Sequence, residues 1–259
     1  MCACIWLNHQ LFIWLNSQIV YAPNYPLMKT NPRHLAFFAL LPLTTFLSAK
    51  DADVLPSLKP LIEQVTKELN QIPAERQLAL KKVALFIRSK VQAKETPQLT
   101  FICTHNSRRS HMSQIWAQTA AAYYDVAGVK TFSGGVEATA CNERTVAALT
   151  RAGFTITNST PGEKNPVFLV KYSEQAEPIR AFSKVYSAEG NPKDNFVALM
   201  TCDHADKNCP VVEGSVLRVA IPFVDPKVTD NTPTEAATYD ERCRQIASEM
   251  FFLMKQVNP

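Results

Sequence analysis

The sequence lacks the features that would place it at once in several large classes of protein. No repeat period and no low-complexity tract occurs in its 259 residues, which argues against a repeat array or a disordered chain. The formal net charge of +4 is small for this length, whereas nucleic-acid binding usually needs Lys and Arg clustered on one face. With 46% hydrophobic and 19% charged residues, we predict a globular protein with a buried core and no nucleic-acid partner.

The cysteines also lack the pattern of a disulfide framework or of a zinc site. An odd number at wide spacings argues against a secreted, disulfide-stabilised fold. Cys202 and Cys209, in "TCDHADKNCP", do not form a C-x-x-C pair, and a zinc site needs a second close Cys/His pair beyond His204. The sequence therefore predicts no bound metal. The seven cysteines are Cys2, Cys4, Cys103, Cys141, Cys202, Cys209 and Cys243.

Residues 1–54 differ in character from the rest of the chain. Within them, Met28–Ala49 has a basic start, an apolar run and small residues at its end. This order is typical of a secretory signal, and the apolar run is short for a membrane span. The alternative is a tail that adheres to a membrane or lies free. In both interpretations residues 1–54 form a hydrophobic, signal-like segment outside the catalytic core.

The remaining sequence predicts a helical extension followed by an α/β domain. Apolar residues recur at helical spacing through residues 55–96 with a break at Asn70–Arg76, which predicts a helical hairpin used for packing or as a dimer surface. From residue 97 to 259 short apolar runs alternate with helical patterns, and this alternation predicts a parallel sheet in an α/β layer fold. The stretch of about 158–195 fits less well and predicts an inserted β-hairpin. The predicted strands are Leu99–Ile102, Lys130–Phe132, Phe196–Thr201 and Val216–Ile221, and the predicted helices are Arg109–Tyr124, Glu143–Ala152 and Pro233–Gln256.

A cysteine stands where the first of these strands meets the first of these helices, in "LTFICTHNSRRSHMSQ". A loop that curls at a helix N-terminus points backbone N–H groups inward and binds a tetrahedral oxyanion. Arg109, which closes the loop, has the fork of donors that grips two oxygens of such an anion. The same positive field lowers the pKa of the Cys103 thiol, and Ser110 is placed to donate a hydrogen bond to its sulfur. The predicted oxyanion-binding residues are Thr104, His105, Asn106, Ser107, Arg108, Arg109 and Ser110.

Four segments of the chain together resemble one known family. "FICTHNSRRSHMSQIWA" is similar to the phosphate loop of the low-molecular-weight protein tyrosine phosphatase superfamily, specifically of its arsenate reductase branch. The likeness continues in "FSGGVEATACNERTVAALTRAGFTI" and "LMTCDHADKNCP" and ends in "IPFVDPK" with the C-terminal helix. It covers most of residues 98–257 apart from 158–195. The resemblance implies a three-layer α/β fold with a central four-stranded parallel sheet and a cysteine-based enzyme that acts on oxyanions.

The resemblance also implies a general acid late in the chain. Asp225, followed by Pro226, matches the aspartate that protonates the leaving group in this superfamily. Phosphotyrosine phosphatases of the family usually continue with aromatic residues that flank the substrate ring. Here Lys227 and Val228 follow instead, which leaves the site open for a small oxyanion.

The resemblance further implies a relay of three thiols. Cys202 and Cys209 match the two later cysteines of thioredoxin-coupled arsenate reductases. In such a relay Cys103 forms an adduct with arsenate, Cys202 attacks Cys103 so that arsenite leaves, and Cys209 carries the disulfide to the surface. A thioredoxin-like protein then reduces it, so the implied requirement is an external thiol reductant and no tightly bound cofactor.

Two residues are implied to support the loop, and they raise the question of potassium. Asn106 matches an asparagine that stabilises the loop and in some reductases helps to bind K⁺, and Ser133 matches the residue that hydrogen-bonds this asparagine. Gln114 replaces a glutamate found in the potassium-binding members. His105 replaces a small residue, and its imidazole either narrows the mouth of the site or alters the pKa of the Cys103 thiolate.

Three functions remain open on the sequence alone. The leading hypothesis is an arsenate reductase that uses the three-thiol relay. The alternative is a protein tyrosine phosphatase or another phosphomonoesterase that needs only Cys103, Arg109 and Asp225. A non-catalytic oxyanion or redox sensor is the third, and it would not need Asp225. Thiol chemistry favours a cytoplasmic location whereas Met28–Ala49 favours export, and no pattern indicates an oligomeric state.

Overall fold

The structure, a computed structural model, describes residues 53–257 and four two-residue strands nearer the N-terminus. These strands pair antiparallel, Trp6–Leu7 with Gln10–Leu11 and Trp14–Leu15 with Gln18–Ile19. They belong to a unit of residues 1–48, and residues 49–259 form a second compact unit. The signal-like segment Met28–Ala49 lies outside the described residues, so its interpretation stays a prediction.

The second unit is built on a four-stranded parallel sheet in the order β2-β1-β6-β7. Its inner strands are almost wholly apolar and buried, as is usual for parallel strands covered on both faces. This confirms the predicted fold class, and each predicted strand falls within one or two residues of an observed one except at the end of β2, which is three residues longer. The strands are β1 (Gln98–Cys103), β2 (Lys130–Gly135), β6 (Phe196–Met200) and β7 (Ser215–Ala220).

Side chains that alternate along β6 divide the core into two parts, because successive residues of a strand point to opposite faces. Val197 and Leu199 contribute to a large cluster with the long helices, whereas Phe196, Ala198 and Met200 join a small cluster on the other face. The sheet is therefore the middle of three layers, as predicted. The helices are α1 (Lys59–Lys67), α2 (Ala74–Gln92), α3 (Arg109–Tyr123), α4 (Glu143–Arg151), α5 (Asp203–Asn208) and α6 (Glu235–Lys255).

The first two helices both pack against α6 and share the large core cluster. Arg76 of α2 makes a salt bridge of 2.5 Å from Nη2 to Oε2 of the buried Glu249 on α6. Arg88 of the same helix donates to the carbonyl oxygens of Gln256 and Val257. Residues 55–96 thus help to complete the core, while the predicted boundary between a helical extension and a domain at 97–259 stays a prediction.

The insertion forms a small antiparallel sheet in the order β3-β4-β5. Its strands are β3 (Thr155–Asn158), β4 (Phe168–Lys171) and β5 (Ile179–Ala181). The pairing of β4 with β5 is the hairpin that the sequence predicts. The third strand was not predicted: β3 lies before the insertion in sequence and pairs with β4 along all four of its residues.

Among the residues that the structure describes, no helix has the length and apolar character needed to span a membrane.

Candidate active site

The loop between β1 and α3 lies at the carboxyl end of the sheet, where ligands of open α/β sheets bind. Asn106 adopts a φ of +45°, a conformation that Asn tolerates better than most residues. The loop also passes close to β2: a Cβ on Gly135 would lie 2.7 Å from the carbonyl oxygen of Thr104 and 2.8 Å from the amide nitrogen of Asn106. Glycine at position 135 is therefore needed for the loop to curl against the sheet.

The backbone of this loop is rich in unused donors. Among the described residues, none accepts a hydrogen bond from the backbone N–H groups of residues 105–110. Buried N–H groups normally have a partner, and a curled loop at a helix N-terminus provides one in the form of an anion. The arrangement agrees with the predicted oxyanion cradle.

Cys103 is buried at the base of the loop, with its Sγ 3.1 Å from Ser110 Oγ. The amide Nδ2 of Asn106 donates to the same hydroxyl oxygen at 2.8 Å. Because Ser110 Oγ already accepts that bond, its own proton is free to point at the sulfur. The predicted contact between Ser110 and the nucleophile is therefore in place and is oriented by Asn106.

Arg109 is held beside the loop by two bonds, from Nη1 to the carbonyl oxygen of Phe223 at 3.0 Å and from Nη2 to Asp225 Oδ2 at 2.6 Å. Its Nε is buried and has no partner among the described residues. The predicted clamp and the predicted general acid are thus ion-paired with each other. Of the five N–H donors of a guanidinium, these two bonds use two, and the buried Nε–H is among those that remain for an anion.

The side chain of Arg108, a predicted oxyanion-binding residue, is used in contacts with α6 and the segment before it. Its Nε donates to the hydroxyl of Tyr239 on α6 at 2.8 Å, and Nη2 lies 3.6 Å from Asp230 Oδ2. The Tyr239 hydroxyl in turn donates to Asp230 Oδ1. Only the backbone of Arg108 is available to the predicted cradle.

The side chain of His105 is also directed away from the cradle. Its Nε2 lies 3.6 Å from Glu137 Oε2, and both side chains are about half exposed. The carbonyl oxygen of His105 accepts a bond from Ser183 Oγ at 2.8 Å. Ser107 is tied to the start of α4 because its carbonyl oxygen accepts from the amide of Asn142.

The insertion supports the loop, and the predicted contact of Ser133 with Asn106 is wrong. The Oδ1 of Asn106 accepts instead from the backbone N–H of Lys184 at 3.0 Å. Ser133 Oγ lies 3.3 Å from Nδ1 of His111, a buried residue in the first turn of α3. Burial and the nearby charge of Lys184 lower the pKa of His111 to about 3, so this neutral ring separates Ser133 from the loop.

The residues as placed do not form a potassium site. Both ends of the Asn106 amide are used, by Ser110 and by Lys184. Gln114 has one buried amide oxygen without a partner among the described residues, but it brings no negative charge. The positive charge of Lys184 also lies close to this region, where it lowers the pKa of His111, and it would repel a cation. We therefore assign no step to potassium.

Cys202 lies at the end of β6, next to β1, and its sulfur contacts the loop. Its Sγ is 3.4 Å from Thr104 Oγ1, and Thr104 directly follows Cys103. Cys103 and Cys202 are both buried in the small core cluster. The sulfur of Cys202 also accepts the backbone N–H of Ala205 at 3.3 Å and so caps α5.

Cys209 lies at the other end of α5 and is partly exposed. Seven residues of helix correspond to about 10 Å along the axis, whereas a disulfide needs Cα atoms about 4.4–6.8 Å apart. Cys202 and Cys209 are both free thiols. A bond between them therefore requires α5 to unwind.

Several supporting residues carried no signal in the sequence. Ser183, Lys184 and Tyr239 contact the loop from elements far along the chain, and His111 packs beside it from the first turn of α3, but no local pattern marks any of them. Arg76 was equally silent: its Nη1 donates to the carbonyl oxygen of Pro222, and its guanidinium lies 4.8 Å from the centre of the Phe223 ring. It braces the segment that carries Asp225.

These features define a class of protein: a three-layer α/β protein with a cysteine-based oxyanion site at the carboxyl end of a parallel sheet. No family model matches the chain. Arsenate reductase 2 of Staphylococcus epidermidis is 30% identical over 128 residues, which cover 49% of this chain and 76% of that protein. Arsenate reductase of Bacillus subtilis is 27% identical over 150 residues, or 58% of this chain and 88% of that protein.

Two solved structures to which the chain is similar have low sequence identity to it. A structure described as an arsenate reductase in the phosphate binding state is 16% identical, with a TM-score of 0.41 over 63% of this chain and 100% of that one. A low-molecular-weight phosphotyrosine phosphatase of Vibrio cholerae is 11% identical, with a TM-score of 0.42 over 61% of this chain and 95% of that one. On the sequence relationship, the chain belongs to the family of these arsenate reductases.

Proposed function

We propose that the protein is a thiol-dependent arsenate reductase. The observation that carries the proposal is the 3.4 Å contact between Cys202 Sγ and Thr104 Oγ1, which brings a second buried thiol against the loop that holds Cys103. A phosphatase needs only the first thiol. A reductase needs a second thiol that reaches the first. The relatives of this chain reported above carry the name arsenate reductase, which also supports the proposal.

In the proposed reaction the loop N–H groups and Arg109 bind arsenate, and the Cys103 thiolate attacks arsenic. The As–S bond forms as one As–O bond breaks, and the oxygen leaves as water with a proton that Asp225 takes from another hydroxyl of the bound arsenate and delivers to it, which gives a Cys103–arsenic adduct. The Cys202 thiolate then attacks Cys103 Sγ. The S–S bond forms as the S–As bond breaks, and its electron pair stays on arsenic, which leaves as arsenite.

The disulfide is then moved outwards by the third thiol. The Cys209 thiolate attacks Cys202 Sγ, and the Cys103 thiolate leaves and is restored for the next cycle. This step needs α5 to unwind, because its two ends are otherwise too far apart for a disulfide. A dithiol protein of the thioredoxin type is the reductant we propose for the exposed bond.

A phosphomonoesterase activity at the same site is the second candidate. It is supported by the 2.6 Å contact between Arg109 and Asp225, which places a carboxyl group beside the clamp, where it can take up and deliver a proton during ester hydrolysis. Phosphate and arsenate share shape and charge, so the two activities coexist. For the location of the protein we propose a reducing compartment, the cytoplasm, and N-terminal sequencing of the mature chain tests this against export.

The test separates the two activities by mutation. Cys202→Ser and Cys209→Ser are each expected to abolish multiple-turnover arsenate reduction with a thioredoxin system while p-nitrophenyl phosphate hydrolysis stays near wild type. Cys243→Ser, in the core away from the loop, serves as the matched control and is expected to retain both. Reduction at the wild-type rate in either of the first two variants contradicts the reductase proposal.

A further inference from the structure

A short chain of polar contacts leads from the Cys202 sulfur to solvent. Cys202 Sγ lies 3.4 Å from Thr104 Oγ1, and the same hydroxyl lies 3.3 Å from His204 Nδ1. Cys202 is fully buried and Thr104 nearly so, whereas His204 is exposed in the first turn of α5. The hydroxyl of Thr104 is thus the only link that these contacts provide between the buried thiol and the exposed imidazole.

A hydroxyl donates one hydrogen bond and can accept two. The protons along the path Cys202–Thr104–His204 therefore have two consistent arrangements. In the first, the Cys202 thiol donates to Thr104 Oγ1, and Thr104 donates to a neutral His204 Nδ1. In the second, Thr104 donates to the Cys202 thiolate and accepts from a protonated Nδ1. The two arrangements differ only by the shift of two protons along the chain.

We propose that His204 is a positioning residue that takes up the Cys202 proton through Thr104. The thiol proton moves to Thr104 Oγ1 as the hydroxyl proton moves to His204 Nδ1. This leaves a Cys202 thiolate and an imidazolium, which releases its proton to solvent. The inference rests on the proposed reductase function, because the thiolate formed is the one that attacks Cys103 and receives no use in ester hydrolysis.

The environment of Cys202 explains why such a path is needed. A thiol that is out of contact with water cannot pass its proton directly to solvent. Once formed, the thiolate keeps two donors, the Thr104 hydroxyl and the backbone N–H of Ala205 at 3.3 Å. His204 therefore supplies the exit for the proton, and the other two groups stabilise the charge that remains.

The test uses a single turnover in a Cys209→Ser parent, in which the reaction stops at the Cys103–Cys202 disulfide and releases one arsenite. Adding His204→Ala is expected to slow arsenite release at neutral pH by a factor on the order of 10². The deficit should shrink as pH rises past the ordinary pKa of a cysteine, about 8.5, because hydroxide then removes the proton. Free imidazole should restore part of the rate at neutral pH.

Two further variants make the test specific. Lys207→Ala, an exposed change of charge on the same helix, serves as the matched control and should leave the pH profile unchanged. Thr104→Val should slow the reaction like His204→Ala, and the double variant should be no slower than Thr104→Val alone, since both break one path. Hydrolysis of p-nitrophenyl phosphate should be unaffected by His204→Ala.

An unchanged pH profile in His204→Ala overturns the proposal, as does a loss of equal size at every pH. A parent that releases no arsenite contradicts the reductase function itself. In that case the ultraviolet absorbance of the Cys202 thiolate, titrated in a Cys103→Ser, Cys209→Ser background, still decides the matter. A titration curve that His204→Ala moves to higher pH supports the relay, and a curve that does not move overturns it.

Discussion

The loop after β1 and the helix after β6 occupy neighbouring positions at the same edge of the sheet, yet they are held very differently. The loop is tied by Ser183 and Lys184 of the insertion and by Tyr239 of α6. Helix α5 has only six residues, and most of its side chains are exposed. Short helices are marginal without tertiary support. The part proposed to hold the anion is therefore firmly held, and the part proposed to carry the disulfide has fewer contacts that would resist rearrangement.

One interaction in particular anchors α5 to the sheet. Arg218 of β7 donates from Nη2 to the carbonyl oxygen and to Oδ1 of Asp206, both at 2.6 Å. Its Nε donates to the carbonyl oxygen of Cys209 at 3.2 Å. These bonds keep Cys209 at the end of the helix that is far from Cys202.

The largest expected effect separates the chemistry on the anion from the disulfide exchange. Asp225→Asn keeps the shape of the side chain but removes its proton, so p-nitrophenyl phosphate hydrolysis is expected to slow by a factor on the order of 10² to 10⁴. Formation of the Cys202–Cys209 disulfide should be unaffected. Steady-state kinetics measures the first and mass spectrometry the second. Asp240→Asn, in an exposed pair with Arg151, is the control, and an unchanged hydrolysis rate would remove Asp225 from the mechanism.

An intermediate effect is expected where the anchor of α5 is removed. Arg218→Met should favour the unwound helix and raise the equilibrium ratio of Cys202–Cys209 disulfide to dithiol about two- to tenfold at a fixed redox poise. This is the range expected from the net free energy of one or two hydrogen bonds. The measurement uses a Cys103→Ser background equilibrated with a dithiothreitol couple.

The control for that experiment is Arg180→Met, which removes an exposed arginine of the insertion. Placed in the protein that retains Cys103, both substitutions should leave p-nitrophenyl phosphate hydrolysis near wild type, because neither arginine contacts the loop. A ratio that Arg218→Met leaves unchanged or lowers would show that α5 does not need to unwind, and the contrast between the two regions would then fail.

The smallest expected effect concerns the support of the loop by the insertion. Ser183→Ala removes the bond to the His105 carbonyl oxygen and the bond from the amide of Thr139, so the free energy of unfolding is expected to fall by about 1 kcal/mol. The KM for p-nitrophenyl phosphate should rise a few-fold as the loop loosens. Urea denaturation and steady-state kinetics measure the two quantities. Ser187→Ala on the exposed part of the insertion should change neither, and equal effects of the two variants would argue against the support.

The sequence was sufficient for those parts of the fold that local pattern determines. The apolar run of β1 followed by the helical pattern of α3 located Cys103 at the junction, and the same reasoning found β6 and therefore the position of Cys202. Strand and helix periodicities are properties of neighbouring residues, so they can be read without knowledge of the tertiary structure.

The parts that the sequence did not predict depend on contacts between distant segments. Ser133 was expected to bond Asn106, but His111 intervenes and the insertion supplies Lys184 instead. The roles of Cys103, Arg109, Asp225, Cys202 and Cys209 remain predictions that the geometry supports. Periodicity describes neighbouring residues only, so it could not predict that Lys184 returns to Asn106, 78 residues earlier in the chain.

The ion pair between Arg109 and Asp225 means that Asp225 competes with the substrate anion for Arg109. The Asp225 carboxylate, at 2.6 Å, occupies one donor of Arg109, so an entering anion must displace it to use that donor. An anion of low charge or unsuitable shape binds too weakly to displace the carboxylate. A tetrahedral dianion, which also accepts hydrogen bonds from the loop N–H groups, binds strongly enough to do so. An anion that displaces this carboxylate from Arg109 frees Asp225 for proton transfer at the moment when Cys103 has a substrate to attack.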